Sequence, residues 1–139
     1  MSDSELITIS LELAAERGGD LTPAVYARLF AENPEMEPLF IRDTNHAVKG
    51  EMLARVIEAI LDFIGERKYS AHLIQCEVIT HDGYGVPPAV FAVFFGTLAR
   101  TLRDVVGADW TPEIDAAWTR LLADLDYYVA NPDQAATAA

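Results

Sequence analysis

The chain reads as one all-α domain, and three observations carry that reading. Apolar residues recur at helical spacing almost from end to end, helix-starting and helix-stopping residues punctuate them, and no run alternates as a strand would. At 139 residues, 51% of them apolar, the chain is long enough for one substantial core. The domain is expected over residues 1–132, with 133–139 as a frayed tail.

Each element follows from its own signals. Ser2 and Glu5 have the spacing of a capping box ahead of Leu6, Ile9 and Leu13, and Gly18-Gly19 stops that helix. Thr22 as N-cap and Pro23 at the first helical position open a second helix. It turns Val25, Tyr26, Leu29 and Phe30 inward and ends at Asn33-Pro34. A short turn, Glu35 to Leu39, leads to Phe40 and a polar connector from Arg42 to Asn45. Leu53, Val56, Ile57, Ile60, Leu61 and Ile64 then follow the i, i+3, i+4, i+7 rule and predict one wide apolar stripe.

After a polar link, Leu73, Ile74, Val78 and Ile79 predict a short helix over 71–80. A corner at Gly83–Val86 precedes another long helix, marked by Phe91, Phe94, Phe95, Leu98, Leu102 and Val105. Thr111-Pro112-Glu113 repeats the cap-plus-proline signal. The last helix carries Ala117, Trp118, Leu121, Leu122, Leu125 and Val129 and stops near Asn131-Pro132. Trp118 is expected in the core and Trp110 at the turn before it; Tyr127 and Tyr128 are expected to divide between core and solvent.

Composition narrows the function. A net charge of −12, from 22 acidic and 10 scattered basic residues, repels phosphates and leaves no basic patch for nucleic acid. Cys76, the single cysteine, excludes an intrachain disulfide and a Cys-rich metal site, and is expected to be an inert small hydrophobe. The opening Met1-Ser2-Asp3-Ser4-Glu5 is acidic and polar, unlike a signal peptide. The longest greasy run, Val86 to Ala99, is broken by Pro87 and Pro88 and is too short to span a bilayer. A soluble cytoplasmic protein, monomer or homodimer, is the expectation. There is no P-loop, no dinucleotide fingerprint, no His-Glu-x-x-His and no Glu-x-x-His pair.

The segment His81-Asp82-Gly83-Tyr84-Gly85-Val86 carries the chemistry. A lone histidine on an apolar helix is more often a packed or surface residue than a ligand. Here three features turn the balance: the Gly-Tyr-Gly-Val corner behind it, large aromatics at fixed distances, and a facing amphipathic helix. Together they can form a flat apolar slot with one imidazole on its wall, which suits a porphyrin whose iron takes an axial ligand.

The residues Val25-Tyr26-Ala27-Arg28-Leu29-Phe30, Asn33-Pro34-Glu35-Met36 and Leu39-Phe40 resemble, without a gap, a segment of bacterial globins. The likeness is to the globin domain of flavohaemoglobins and their single-domain relatives. It covers Leu6 to Val129, and Ala116-Ala117-Trp118 in the last helix is similar as well. It implies the three-on-three helical sandwich of the globin fold and haem b (iron protoporphyrin IX) as cofactor. A full-length first helix, and the 28 residues separating Leu53 from His81, agree with the unshortened form. By the same resemblance His81 is the proximal iron ligand, with Tyr84 and Val86 in the corner behind it. Tyr26 is the distal tyrosine that hydrogen-bonds the bound ligand, and Phe40 stacks against the haem.

Counting back from His81 in that frame gives Lys49 the distal position usually held by histidine or glutamine, with Leu53 over the iron one turn later. This assumes one residue deleted in the connector; without the deletion Gly50 is distal, and His46 is a second candidate for distal contact. Lys49 either snorkels to solvent or a haem propionate, or its amine donates to bound ligand or, deprotonated, takes the sixth iron position.

Three departures from the family stand out. Glu77 lies one turn before His81, where globins place a leucine. Phe91, a pocket residue by the resemblance, stands where flavohaemoglobins have a tyrosine. Asp133 falls roughly where they have the glutamate that polarises the proximal histidine, and losing that pair weakens the push toward oxygen activation.

The resulting expectation is a haem protein that reversibly binds a diatomic gas, O2, NO or CO. The chain ends without a flavin or nicotinamide domain, so nitric oxide dioxygenation requires an external reductase. The alternative, favoured by Glu77, Lys49 and the strong acidity, is a haem-less globin-like sensor or protein-interaction domain.

Overall fold

Ser2 starts the first helix as its side chain requires: its hydroxyl oxygen accepts the Glu5 N–H at 3.2 Å and its proton reaches the Glu5 carboxylate at 3.2 Å. The computed structural model describes residues 1–40, 47–65 and 88–130. These hold α1 (Asp3–Gly18), α2 (Thr22–Glu32), α3 (Ala47–Ile64), α4 (Pro88–Val106) and α5 (Pro112–Ala130). Two 3-10 segments, Pro34–Phe40 and Gly107–Asp109, complete the described elements. The connector from Arg42 to Asn45, the expected helix over 71–80, the Gly83–Val86 corner and the tail 133–139 lie outside the described residues.

The face that α1 buries differs from the expected one. Ile7, Ser10 and Ala14 are fully buried, whereas Leu6 and Leu13 are only partly so. The reason is a polar contact: the indole of Trp118 donates to the Ser10 hydroxyl at 2.9 Å, and that hydroxyl donates to the Ile7 carbonyl at 2.6 Å. Small residues at 10 and 14 let α5 come close, and the buried Nε1 of the indole finds its acceptor there. Trp110 stacks on Trp118 at 6.2 Å and donates to Asp115 at 2.9 Å, at the turn where it was expected.

The α1–α2 corner is set by glycine and aspartate. Gly19 takes φ +61 and closes α1 through its N–H to the Ala15 carbonyl at 3.0 Å; a Cβ is unfavourable in that conformation. A Cβ on Gly18 would stand 2.8 Å from Leu21 and 3.0 Å from Val105, so the lack of a side chain lets α1 end against α4. Thr22 is the first residue of α2 rather than its cap. The Asp20 carboxylate takes up the Thr22 N–H at 3.0 Å instead, and this bond holds the Asp20 carboxyl below its usual range.

Helix α3 keeps the expected stripe except at Leu61, with Val56, Ile57 and Ile64 packed against the core. Leu53, Ala59, Ile60 and Phe63 are its buried residues, while Leu61 is 43% exposed. At about 100° per residue Leu61 lies on the flank away from Ala59 and Phe63, so burial of those two turns it out. Helices α4 and α5 supply most of the remaining core: Phe95, Leu98, Leu102 and Val106 from one, Ile114, Ala117, Trp118, Leu121, Leu125 and Val129 from the other. The Thr111 hydroxyl caps α5 by accepting the Ile114 N–H at 3.2 Å. Tyr127 is 51% exposed, and the side chain of Tyr128 lies outside the described residues.

Helix α1 packs on α4 and α5, α2 crosses α4, and α3 touches α1 and α2. Ion pairs tie these crossings at the surface. Arg17 reaches the last carbonyl of α4, at Val106, and pairs with Asp109; Arg28 pairs with Asp104; Arg100 meets Glu32 at 2.8 Å. Arg120 grips Asp3 with two bonds of 2.7 Å. The guanidinium hydrogen bonds hold the Asp3 and Glu32 carboxyls below their usual range. Both pairs help the fold only while the carboxylate is charged, and that help is lost as pH falls through the lowered value. Exposed pairs of this kind fix geometry more than they stabilise. Among the described residues no helix is long and apolar enough to cross a membrane.

Candidate functional site

Tyr26 stands at the junction of four elements. One helical turn along α2 brings Phe30 beside it at 5.9 Å between ring centroids, the 3-10 segment brings Phe40 edge-on at 5.4 Å, and α4 brings Phe94 at 5.7 Å. Phe30 and Phe40 also touch each other at 5.6 Å. These tilted and edge-to-face arrangements are the ones that aromatic quadrupoles favour. Tyr26 is only 3% exposed, whereas Phe30, Phe40 and Phe94 are partly buried at the margin of the core.

A hydroxyl so deeply buried needs a partner. The Tyr26 phenol donates to the backbone carbonyl of Lys49 at 3.1 Å, linking α2 to the first turns of α3. The Lys49 side chain folds back over the same rings, with Nζ 5.7 Å from the Phe40 centroid and 6.0 Å from that of Phe30. At those distances the ammonium is attracted by the negative ring faces. Leu53 lies one turn further along α3 and is buried in the core.

Of the residues singled out from the sequence, the fold brings Tyr26, Phe40 and Lys49 into one cluster and sets Leu53 on the same helix as Lys49. Phe91 belongs to α4, but its side chain is outside the described set, and His81, Tyr84 and Val86 lie outside the described residues altogether. So do Glu77, Asp133, Cys76 and His46. Two cluster members, Phe30 and Phe94, are marked in the sequence only as core. The i+4 spacing to Tyr26 is a signal for Phe30; Phe94 has no such local signal. The Lys49 carbonyl as phenol acceptor has none either, because it depends on how α3 packs against α2.

Among the described residues the molecule is an all-α protein with a buried phenol set among three aromatic rings and a cation at their edge. A family model described as Globin matches residues 23–127. The chain belongs to the globin family, and its fold is the all-α globin fold. Among curated proteins it is similar to the flavohemoprotein of Vibrio cholerae serotype O1, 24% identical over 123 residues, which cover 82% of this chain and 29% of that protein. It is also similar to the flavohemoprotein of Bordetella pertussis, 27% identical over 126 residues, with 86% and 31% covered. The flavohemoprotein of Rhizobium meliloti is 23% identical over 124 residues, with 87% and 30% covered. The chain spans about three-tenths of the length of these relatives.

Proposed function

We propose that the protein binds haem b non-covalently, with iron on His81, and that it reversibly binds a diatomic gas on the Tyr26 side. The observation that carries this reading is the Tyr26 cluster: one buried hydroxyl set among three rings whose apolar surface is only partly covered. That donor set fits a flat apolar group bearing a polar ligand, since the rings offer contact area and the phenol offers a single hydrogen bond. Membership in the globin family and similarity to proteins named for flavin and haem support it. The sequence has one cysteine and so lacks the pair of thiols that would attach a haem covalently.

A bound haem would supply an iron centre able to take up the gas. The chain supplies everything else. In this reading His81 would hold the iron through its imidazole, and Phe40, Leu53, Tyr84, Val86 and Phe91 would supply the apolar contacts. Tyr26 donates its proton to the bound gas, and to do so it must release the Lys49 carbonyl, an exchange of one hydrogen bond for another. Nitric oxide dioxygenation would need electrons from a reductase, and the cytoplasm is the setting we propose.

Absorption spectra of the ferric, ferrous and carbon-monoxide forms test this reading. Stoichiometric uptake of haem, an intense Soret band and its shift with carbon monoxide are expected. A folded protein that stays colourless when offered haemin would leave the haem-less sensor or interaction module in its place.

A further inference from the structure

We propose that the outer face of α2 and α4 is a docking surface for a second copy of this chain. The observation behind it is a checkerboard of charge. Arg28 on α2 pairs with Asp104 on α4, and one turn along each helix Glu32 on α2 pairs with Arg100 on α4 at 2.8 Å. Arg28 also reaches Glu32 along its own helix at 3.8 Å. The two helices run in opposite directions here, so positive and negative groups alternate both along and across the pair. An open groove lies among them, with Ala24, Ala31, Thr101 and Val105 in its lining.

Symmetry then selects the occupant. A two-fold axis lying in the contact plane, parallel to the helices, sets Arg28 over the second copy's Asp104 and Glu32 over its Arg100. Every charge meets its opposite, and one patch serves both copies, as a closed dimer requires. A uniformly acidic or basic partner would gain at two of these positions and lose at the other two. The four charges sum to zero, so the whole of the net −12 belongs to the rest of the chain, where two copies repel. The four side chains are 28% to 57% exposed, so groups already paired within one copy can take a second partner from the other. Ala24, Ala27 and Ala31 are exposed and short, which lets helix backbones come close. Two helix faces of this length offer roughly 400–500 Å² per copy, the scale of a weak, transient dimer.

Sedimentation velocity of the full chain, from about 10 µM to about 1 mM, tests this. Mass is read whether or not haem is bound, so the result is separate from that of the haem reading. The average mass of the wild type is expected to climb toward twice the monomer value. The acidic double variant Arg28→Glu/Arg100→Glu and the basic one, Glu32→Lys/Asp104→Lys, should each stay monomeric at the highest concentration. Mixed in equal amounts they should associate at least as strongly as the wild type, because all four positions are again opposite in charge. A monomeric wild type overturns the proposal. So does either double variant that associates alone within threefold of wild type, or a mixture that stays monomeric. Should a double variant fold poorly, Arg28→Gln, which removes one surface charge, should weaken association about fivefold or more, and an unchanged constant overturns the proposal equally.

Discussion

Replacing Tyr26 by Phe is expected to speed oxygen dissociation about tenfold, because a donor to a polarised ligand is worth ~1.5–3 kcal/mol and a neutral one ~0.5–1.5. The net effect is a difference between those two. The phenol proton is engaged by the Lys49 carbonyl at 3.1 Å, so in the proposed mechanism ligand binding would trade that bond for a stronger one. Phenylalanine keeps the ring and its contacts with Phe30, Phe40 and Phe94, so the pocket keeps its shape. Carbon monoxide, which is much less polarised when bound, should dissociate at nearly the wild-type rate. Stopped-flow displacement measures both rates. An oxygen rate within twofold of wild type would remove Tyr26 from the binding mechanism.

Trp118→Ala is expected to cost about 3–5 kcal/mol of folding stability, as truncation of a large buried aromatic does. Trp118 is 2% exposed, stacks on Trp110 and donates to Ser10 across 108 residues of chain. Domains of this size have only ~5–15 kcal/mol in hand, so about a fifth or more of that margin goes with one side chain. Trp118→Phe separates the two contributions. It keeps most of the apolar contact but removes the indole N–H, and a loss of about 1–2 kcal/mol is expected from the hydrogen bond alone. Urea unfolding reads both through the midpoint, with the slope unchanged. If Trp118→Phe matched wild type, the Ser10 contact would not explain why α1 buries the face it does.

How far the sequence disclosed this molecule varies element by element. The helices were legible because caps and stops are local: Ser2, Gly19 and Thr111 act within a few residues of their own positions. The rotation of helices was less legible. Ile7, Ser10 and Ala14 face inward in place of the bulkier Leu6 and Leu13 because Trp118, far away in sequence, needs a hydroxyl and a close approach. Leu61 turns outward for a similar reason, since Phe63 and Ala59 set which flank of α3 is buried. At the site, Tyr26, Phe40 and Lys49 could be singled out only through the resemblance to bacterial globins. Their mutual geometry could not. A backbone carbonyl has no sequence signature, so the tie from Tyr26 to Lys49 emerges only when α2 and α3 are packed together. The lysine's choice of ring faces was equally hidden, since snorkelling and stacking begin from the same residue.

Gas binding of the kind proposed depends on one imidazole, His81, holding the haem iron. The most direct test is the ferrous absorption spectrum of haem-reconstituted His81→Gly, recorded before and after adding free imidazole. The proximal-histidine spectrum should be lost in the variant and return when imidazole fills the space vacated by the side chain. A wild-type spectrum without added imidazole would show that some other residue carries the iron.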